Sequence, residues 1–254
     1  RQPIIGHMKN LQNIQLDDLK NWYKNWYTPN NAILVIVGDV DSESVIYQVQ
    51  KYFGDIKTKK TPPRNDVLEF ERVGYRHMEI NSTVQVPNLY MAWNVRSLVT
   101  AKDPQDAYTL NIIRNILDSG ISSRLQDRLV RQKKTLTALS LSYDPYNRGD
   151  SLFSISALPA EGVSLQDAQK AIQAEIDLLK TELIHPQEMT RISAKFISNL
   201  IFNQDDIAGQ AKMIGNLEVN GLSYRLMDEL AKHYKSVSPQ DIQRVANVYF
   251  VKDN

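Results

Sequence analysis

Cysteine is absent from all 254 residues. Disulfides, thiol catalysis and thiolate metal sites are therefore excluded. Long apolar runs are absent as well. The longest, Ala32–Val37, is strand-sized and falls far short of the ~20 apolar residues of a membrane helix, so no membrane span is expected. Charge of one sign is also lacking. Lys and Arg number 30 against 29 Asp and Glu, for a formal net charge of +1, which gives no overall pull toward nucleic acid or an anionic membrane. Histidine is scarce and dispersed. His7, His77, His185 and His233 include no pair three to five residues apart, the spacing that two zinc ligands on one helical face require. No signal peptide is visible, and the chain opens on Arg1-Gln-Pro rather than Met, which leaves room for a removed leader. A cysteine-free chain suits cytoplasm or periplasm, and the periplasm is the favoured expectation.

What is present is ordinary globular material: 42% hydrophobic and 23% charged residues, enough for a large domain with part of another. Leu16, Leu19, Trp22, Tyr23, Trp26 and Tyr27 recur at helical spacing, with Asp17 and Asp18 in the first turn, where the helix dipole favours acids. Thr28-Pro-Asn-Asn31 ends that helix, and Ala32–Val37 then reads as a strand buried on both faces. Asp41 and Ser42 can cap a further helix that Gly54 closes. Lys57-Thr-Lys-Lys-Thr-Pro-Pro-Arg64 is the best linker. Beyond it, Arg76–Asn81 and Asn88–Val95 read as strands, and Pro104–Asp118 and Ser122–Lys133 as helices. Thr137–Tyr143 and Ser151–Leu158 alternate with period two and form an antiparallel pair. Helices follow over Leu165–Leu183, Pro186–Asn203, Ile207–Asn220, Tyr224–Tyr234 and Pro239–Phe250. Strands first and helices after predict an α+β fold, an antiparallel sheet covered by helices.

A weak repeat adds to this. Asp18, Leu19, Trp26, Tyr27 and Asn31 superpose on Asp241, Ile242, Tyr249, Phe250 and Asn254 with one constant displacement of 223 residues, Asn31 to Asn254. Two similar α/β units are expected, with the chain cut at both ends.

Two stretches carry a family resemblance. They are Trp26-Tyr-Thr-Pro-Asn-Asn-Ala-Ile-Leu-Val-Ile-Val-Gly-Asp-Val-Asp41 and Gly120-Ile-Ser-Ser-Arg-Leu-Gln-Asp-Arg-Leu-Val-Arg-Gln-Lys-Lys134. In that order and separation they resemble the pitrilysin-like zinc peptidases, the inverzincins, which include insulysin and the mitochondrial processing peptidase. The resemblance implies two tandem α+β domains per subunit, and two such subunits closing around a substrate. It makes residues 1–57 the tail of a first peptidase domain, 58–72 a linker and 73–254 the second, non-zinc-binding domain. The family's zinc motif H-x-x-E-H is missing, so this part should be inactive by itself, without a cofactor, while zinc is expected in the parent or partner half. The implied function is the non-catalytic part of a metallo-endopeptidase that cleaves peptides or unfolded chains. The implied partners are a peptide substrate and a zinc-bearing half or second subunit, in a homo- or heterodimer. One alternative is a structural subunit that has lost catalysis, related to the core proteins of respiratory complexes. Another is an independent α+β binding module.

The resemblance also singles out Arg131. In the family's non-zinc half an arginine near the end of this helix and a tyrosine on the next strand reach toward the zinc-bound substrate. A guanidinium and a phenol can both donate to a carbonyl oxygen that gains charge in the transition state. Arg131 matches the arginine, but Ala138 stands where the tyrosine should be. Arg128, three residues earlier, leaves a second register open. The remaining chemistry-bearing residues read as structural. His185-Pro-Gln-Glu188 is a helix start, Asp39 and Asp41 bracket a turn, Asp205-Asp206 is a cap, and Trp22, Trp26 and Trp93 are core residues.

Overall fold

The computed structural model describes residues 6–63, 74–81, 83 and 86–254. Two compact units divide the chain, residues 1–67 and 68–254. The proposed linker over 58–72 lies, from residue 64 onward, outside the described residues.

The first unit holds α1 (Met8–Asn13), α2 (Leu16–Trp26), a 3-10 turn (Pro29–Asn31) and α3 (Ser42–Phe53). Asp18 closes the start of α2 by accepting the Gln15 N–H at 2.9 Å, and Asp41 caps α3 by accepting the Ser44 N–H at 2.7 Å. The Lys59 N–H donates to Thr28 Oγ1 at 3.2 Å, and Asn30 Nδ2 donates to the Lys59 carbonyl at 2.9 Å. Part of the basic stretch is thereby tied to the turn after α2. Thr28 is the sole buried residue among the described ones of this unit. Ala32–Val37 departs from expectation. It belongs to no sheet among the described residues, and Ile33, Leu34 and Ile36 are exposed. Apolar composition supplied the propensity, but strand formation also needs a neighbouring strand to complete the ladder. Trp22 is likewise exposed rather than core, and Trp26 is half-buried.

The second unit begins its sheet at β1 (Leu89–Val95), followed by α4 (Pro104–Leu117), a π-helix (Gln126–Gln132), β2 (Leu136–Ser142) and β3 (Ser151–Pro159). Five helices complete it: α5 (Leu165–Thr181), α6 (Pro186–Phe202), α7 (Ile207–Val219), α8 (Leu226–Ser236) and α9 (Pro239–Tyr249). The sheet order is β1-β3-β2, antiparallel throughout. The α+β class read from the sequence is the class found. Arg76–Asn81, expected as a strand, forms none, and its apolar members Met78 and Ile80 are exposed. Ser122–Lys133 was expected as one α-helix. It is instead a π-helix after a short helical start, with the Lys133 N–H donating to the Arg128 carbonyl five residues back at 2.9 Å.

Period-two patterning sorts the sheet into two faces. Met91, Trp93 and Val95 share one with Phe153, Ile155, Ala157, Leu139 and Leu141, and this face joins the core. α4, α5 and α9 lie against the sheet, and α6 and α8 pack on α4 as an outer layer. Phe250, just past α9, meets Trp93 and Phe153 edge-on at 5.3 and 4.9 Å.

Candidate functional site

The opposite face of the sheet is largely exposed within the second unit, with Ser154 at its centre buried. It carries Ala138, Ser140 and Ser142 from β2, Ser154 and Ser156 from β3, and Tyr90 and Ala92 from β1. Leu152 and Leu158 of β3 and Asn94 of β1 share this face, so small side chains alternate there with large ones, Tyr90 and Leu152 being exposed. Small side chains let an extended backbone approach the pleat closely, and the hydroxyls offer both donors and acceptors.

The two edges of the sheet are treated differently. Along β2 the main chain is sealed by side chains. The Leu141 N–H donates to Asp118 Oδ2 at 3.1 Å, and the Leu141 carbonyl accepts from Arg114 Nε at 3.4 Å. Gln126 Nε2 reaches the Leu139 carbonyl at 3.4 Å and Asp118 Oδ1 at 3.2 Å. Such side-chain pairing satisfies an edge that would otherwise recruit another strand. Along β1, Asn254 Nδ2 donates to the Asn94 carbonyl at 2.6 Å. Beside it opens a cavity of about 340 Å³ whose lining includes Asn94, Arg96, Asp106, Asp150, Tyr249 and Asn254. Lys102 also lines it, and three of its polar contacts involve the carboxylates. Arg96 binds Asp150 at 2.9 Å, Arg244 binds Asp106 at 2.8 Å, and Tyr249 donates to Asp106 at 3.0 Å. Burial first, then the Asp106 carboxylate, pushes the Tyr249 hydroxyl well above its ordinary pKa.

The π-helix separates the two candidate arginines. Arg128 turns inward and binds the buried Glu175 at 2.6 Å, with Lys133 on the same carboxylate at 3.5 Å. Arg131 is 60% exposed and sits 3.6 Å from Asp127, whose other oxygen accepts from Gln132 Nε2 at 2.6 Å. Ala138 lies on the exposed sheet face, opposite Leu158. Tyr143 lies elsewhere. It is buried and donates to the Arg96 carbonyl at 2.7 Å, and burial raises its hydroxyl pKa far above normal. Of the residues read as structural, His185 caps α6 by accepting the Gln187 N–H at 3.3 Å. Glu188 forms a two-pronged pair with Arg124 at 2.9 and 2.8 Å. Asp206 stands at the N-cap position of α7 without a side-chain cap bond. No cluster of three metal-capable side chains occurs among the described residues.

The repeat is visible in the structure. α2 and α9 are each 11 residues long, and their first residues, Leu16 and Pro239, stand 223 apart. Gln15 and Asp18 are matched by Ser238 and Asp241, where the Ser238 N–H donates to the carboxylate at 3.0 Å. Asn31 Nδ2 donates to the Trp26 carbonyl at 2.9 Å, and Asn254 Nδ2 donates to the Tyr249 carbonyl at 2.8 Å. The same sequence offset thus recurs as the same cap and the same amide lock. The amide locks were not foreseen, although the aligned asparagines carried the signal.

A sequence-family model described as the peptidase M16 inactive domain matches residues 13–196. The chain belongs to that family. Among curated relatives of this M16 domain, the zinc protease PqqE of Helicobacter pylori is 30% identical, over 97% of this chain and 55% of the relative. A probable mitochondrial-processing peptidase subunit beta of Arabidopsis thaliana is 24% identical, over 97% of this chain and 47% of the relative. The M16 chain thus spans about half the length of these curated relatives. Among solved structures, a protease from Helicobacter pylori superposes with a TM-score of 0.89 at 25% identity, over 98% of this chain and 59% of that one. A chain of complex III2 from Candida albicans shares the fold, with a TM-score of 0.76 at 14% identity over 98% and 59%. The resemblance read from the two sequence stretches therefore holds at the level of family and fold.

Proposed function

We propose that this M16 domain is the non-catalytic part of a zinc-dependent metallo-endopeptidase acting on peptides or unfolded chains. It supplies a wall of the reaction chamber, contacts to substrate and a docking surface for the zinc-bearing half. The observation that carries this reading is the exposed sheet face, where Ala138, Ser140, Ser142 and the half-buried Ser156 leave room for an extended chain. The exposed apolar side of α2 and Ala32–Val37 supports the docking role, since unburied apolar patches mark contact surfaces. In this reading zinc and the general base belong to the other half, and Arg131 donates to the substrate carbonyl as charge develops on it.

The test is steady-state peptide hydrolysis by the chain assembled with a zinc-bearing half, with assembly checked independently. Arg131→Ala should lower kcat by roughly 10²–10³ with little change in KM, the signature of an interaction made in the transition state. Ala138→Tyr should raise kcat in the Arg131 background alone. Unchanged kinetics in Arg131→Ala would remove that residue from the chemistry. An assembly that binds zinc yet hydrolyses nothing would sink the peptidase reading. The second reading, a structural subunit without catalysis, draws on Ala138 at the expected tyrosine position and on the fold shared with the complex III2 chain. Absence of H-x-x-E-H from the other half would favour it.

A further inference from the structure

The buried stripe of α5 runs Ala168, Ile172, Glu175, Ile176 and Leu179. Helical spacing calls for an apolar residue at position 175, yet a carboxylate stands there, 3% exposed. A core retains such a charge only when it is paired. Its partners are two cations of one turn. Arg128 Nη1 donates to Glu175 Oε2 at 2.6 Å, and Lys133 Nζ donates to Oε1 at 3.5 Å. These are the same two residues whose main chains close the π turn, the Lys133 N–H donating to the Arg128 carbonyl at 2.9 Å. The Thr135 N–H then reaches back to the Leu129 carbonyl at 2.8 Å, and Lys134, at φ 50°, leads the chain toward β2.

Side-chain pairing and hydrogen-bond register are therefore linked. In an α-helix, residues five apart point ~140° away from each other, and Arg128 and Lys133 would be poorly placed to share one carboxylate. A turn closed five residues back brings them onto nearly one face. The same change moves Arg131. At α spacing it would stand beside Arg128 as an i,i+3 neighbour. In the wide turn it lies about two thirds of a turn further round. Arg131 is accordingly 60% exposed, and Asp127, 3.6 Å from it, already accepts from Gln132. We propose that Glu175 is the positioning residue for Arg131: by bridging Arg128 and Lys133 it holds the turn in the π register, and that register turns Arg131 out of the core. This rests on the substrate-contact reading of Arg131, and it makes Glu175 the group that selects Arg131 over Arg128. All of these groups lie within the second unit.

The experiment uses the chain assembled with a zinc-bearing half. Glu175→Leu continues the apolar stripe of α5 and removes the bridge, a replacement of a buried charge that cores often tolerate. In the crystal structure of this variant the Lys133 N–H should no longer donate to the Arg128 carbonyl. Peptide hydrolysis should show kcat lower by about 10², the scale of a misplaced contact, with little change in KM. In an Arg131→Ala background the same substitution should cost nothing further, because the group it aims is gone. Where Arg131→Ala is slow, equal losses in both backgrounds mean core damage alone and overturn the proposal, as does an unchanged kcat in Glu175→Leu. A variant that keeps the Lys133–Arg128 bond overturns it in any case. If Arg131→Ala by itself leaves the kinetics unchanged, the substrate-contact reading fails and the crystal structure decides the rest. An opened π turn with Arg131 redirected then upholds the positioning, and an unchanged turn refutes it. Should Glu175→Leu not fold, Glu175→Gln takes its place, since an amide has a single acceptor oxygen and cannot hold both cations as the carboxylate does.

Discussion

α2 and α9 are two versions of one design placed in different surroundings. Both run 11 residues, start with an acid that closes the N-terminus and end under an asparagine amide. Their apolar faces have opposite fates. Ile242, Val245, Ala246 and Phe250 are at most 1% exposed, while Leu19, Trp22, Tyr23 and Tyr27 are 56% to 60% exposed. Local chemistry therefore determines where such a helix begins and ends, and the sheet beneath it determines whether its apolar stripe contributes to stability. α9 has the β1-β3-β2 sheet and helices α4 and α5 against it. In α2 the aromatic groups pack on one another instead, with Tyr23 and Tyr27 stacked at 4.4 Å and Trp22 edge-on to Tyr27 at 5.7 Å.

The largest expected contrast is in the aromatic pair. Phe250→Ala should cost about 3–5 kcal/mol of unfolding free energy, the range for emptying a packed aromatic site. Tyr27→Ala should stay within about 0.5 kcal/mol, as for other exposed positions. Denaturant unfolding followed by near-ultraviolet circular dichroism measures both. Equal costs would mean that Tyr27 is buried in solution and would end the contrast.

The capping acids give a smaller difference, and one that depends on pH. Burial acts to raise the Asp241 pKa, but hydrogen bonds from Ser238 and the charge of Arg244 outweigh it and hold the carboxyl below its ordinary value. A depressed folded-state pKa adds stability above the unfolded value, and that stability is lost as pH falls through the folded value. Asp241→Ala should therefore cost about 1 kcal/mol at neutral pH. The difference from wild type should shrink as pH drops below ~4, the ordinary aspartate range. Asp18→Ala should cost less than Asp241→Ala at neutral pH, because no residue of its helix is buried among the described residues. A pH-independent cost for Asp241→Ala would remove the electrostatic account of its cap.

The smallest contrast lies in the amide locks. Asn254 also holds the Asn94 carbonyl, so Asn254→Ala should cost about 1 kcal/mol and speed amide exchange near β1. Asn31→Ala should leave exchange in the second unit unchanged. Faster exchange at β1 in both variants would contradict the independence of the two locks.

The helices and the β2–β3 pair were legible because their signals are local. Helical spacing, capping acids and period-two alternation all lie within the segment they describe. Ala32–Val37 and Arg76–Asn81 were misread for the complementary reason. Their residues favour strands, but a strand exists only where another chain segment completes its ladder, and no window of sequence contains that fact. The repeat could be found from five aligned residues because each occupies a position that geometry makes special. At the candidate site, Arg131 could be named from its motif, yet nothing nearby distinguished it from Arg128. The carboxylate that draws Arg128 inward, Glu175, is 47 residues away.

The π-helix has a consequence for insertions and deletions. A turn closed five residues back holds one residue more than an α-turn, so deleting a single residue between Gln126 and Gln132 would let the segment wind as an ordinary α-helix. Every side chain beyond the deletion would then rotate about the axis, and the partition between an inward Arg128 and an outward Arg131 would be redrawn without changing either residue. Among relatives that differ by one residue here, the arginine in the same alignment column need not point the same way. Hydrogen-bond register, rather than the count of residues to β2, decides which guanidinium faces solvent.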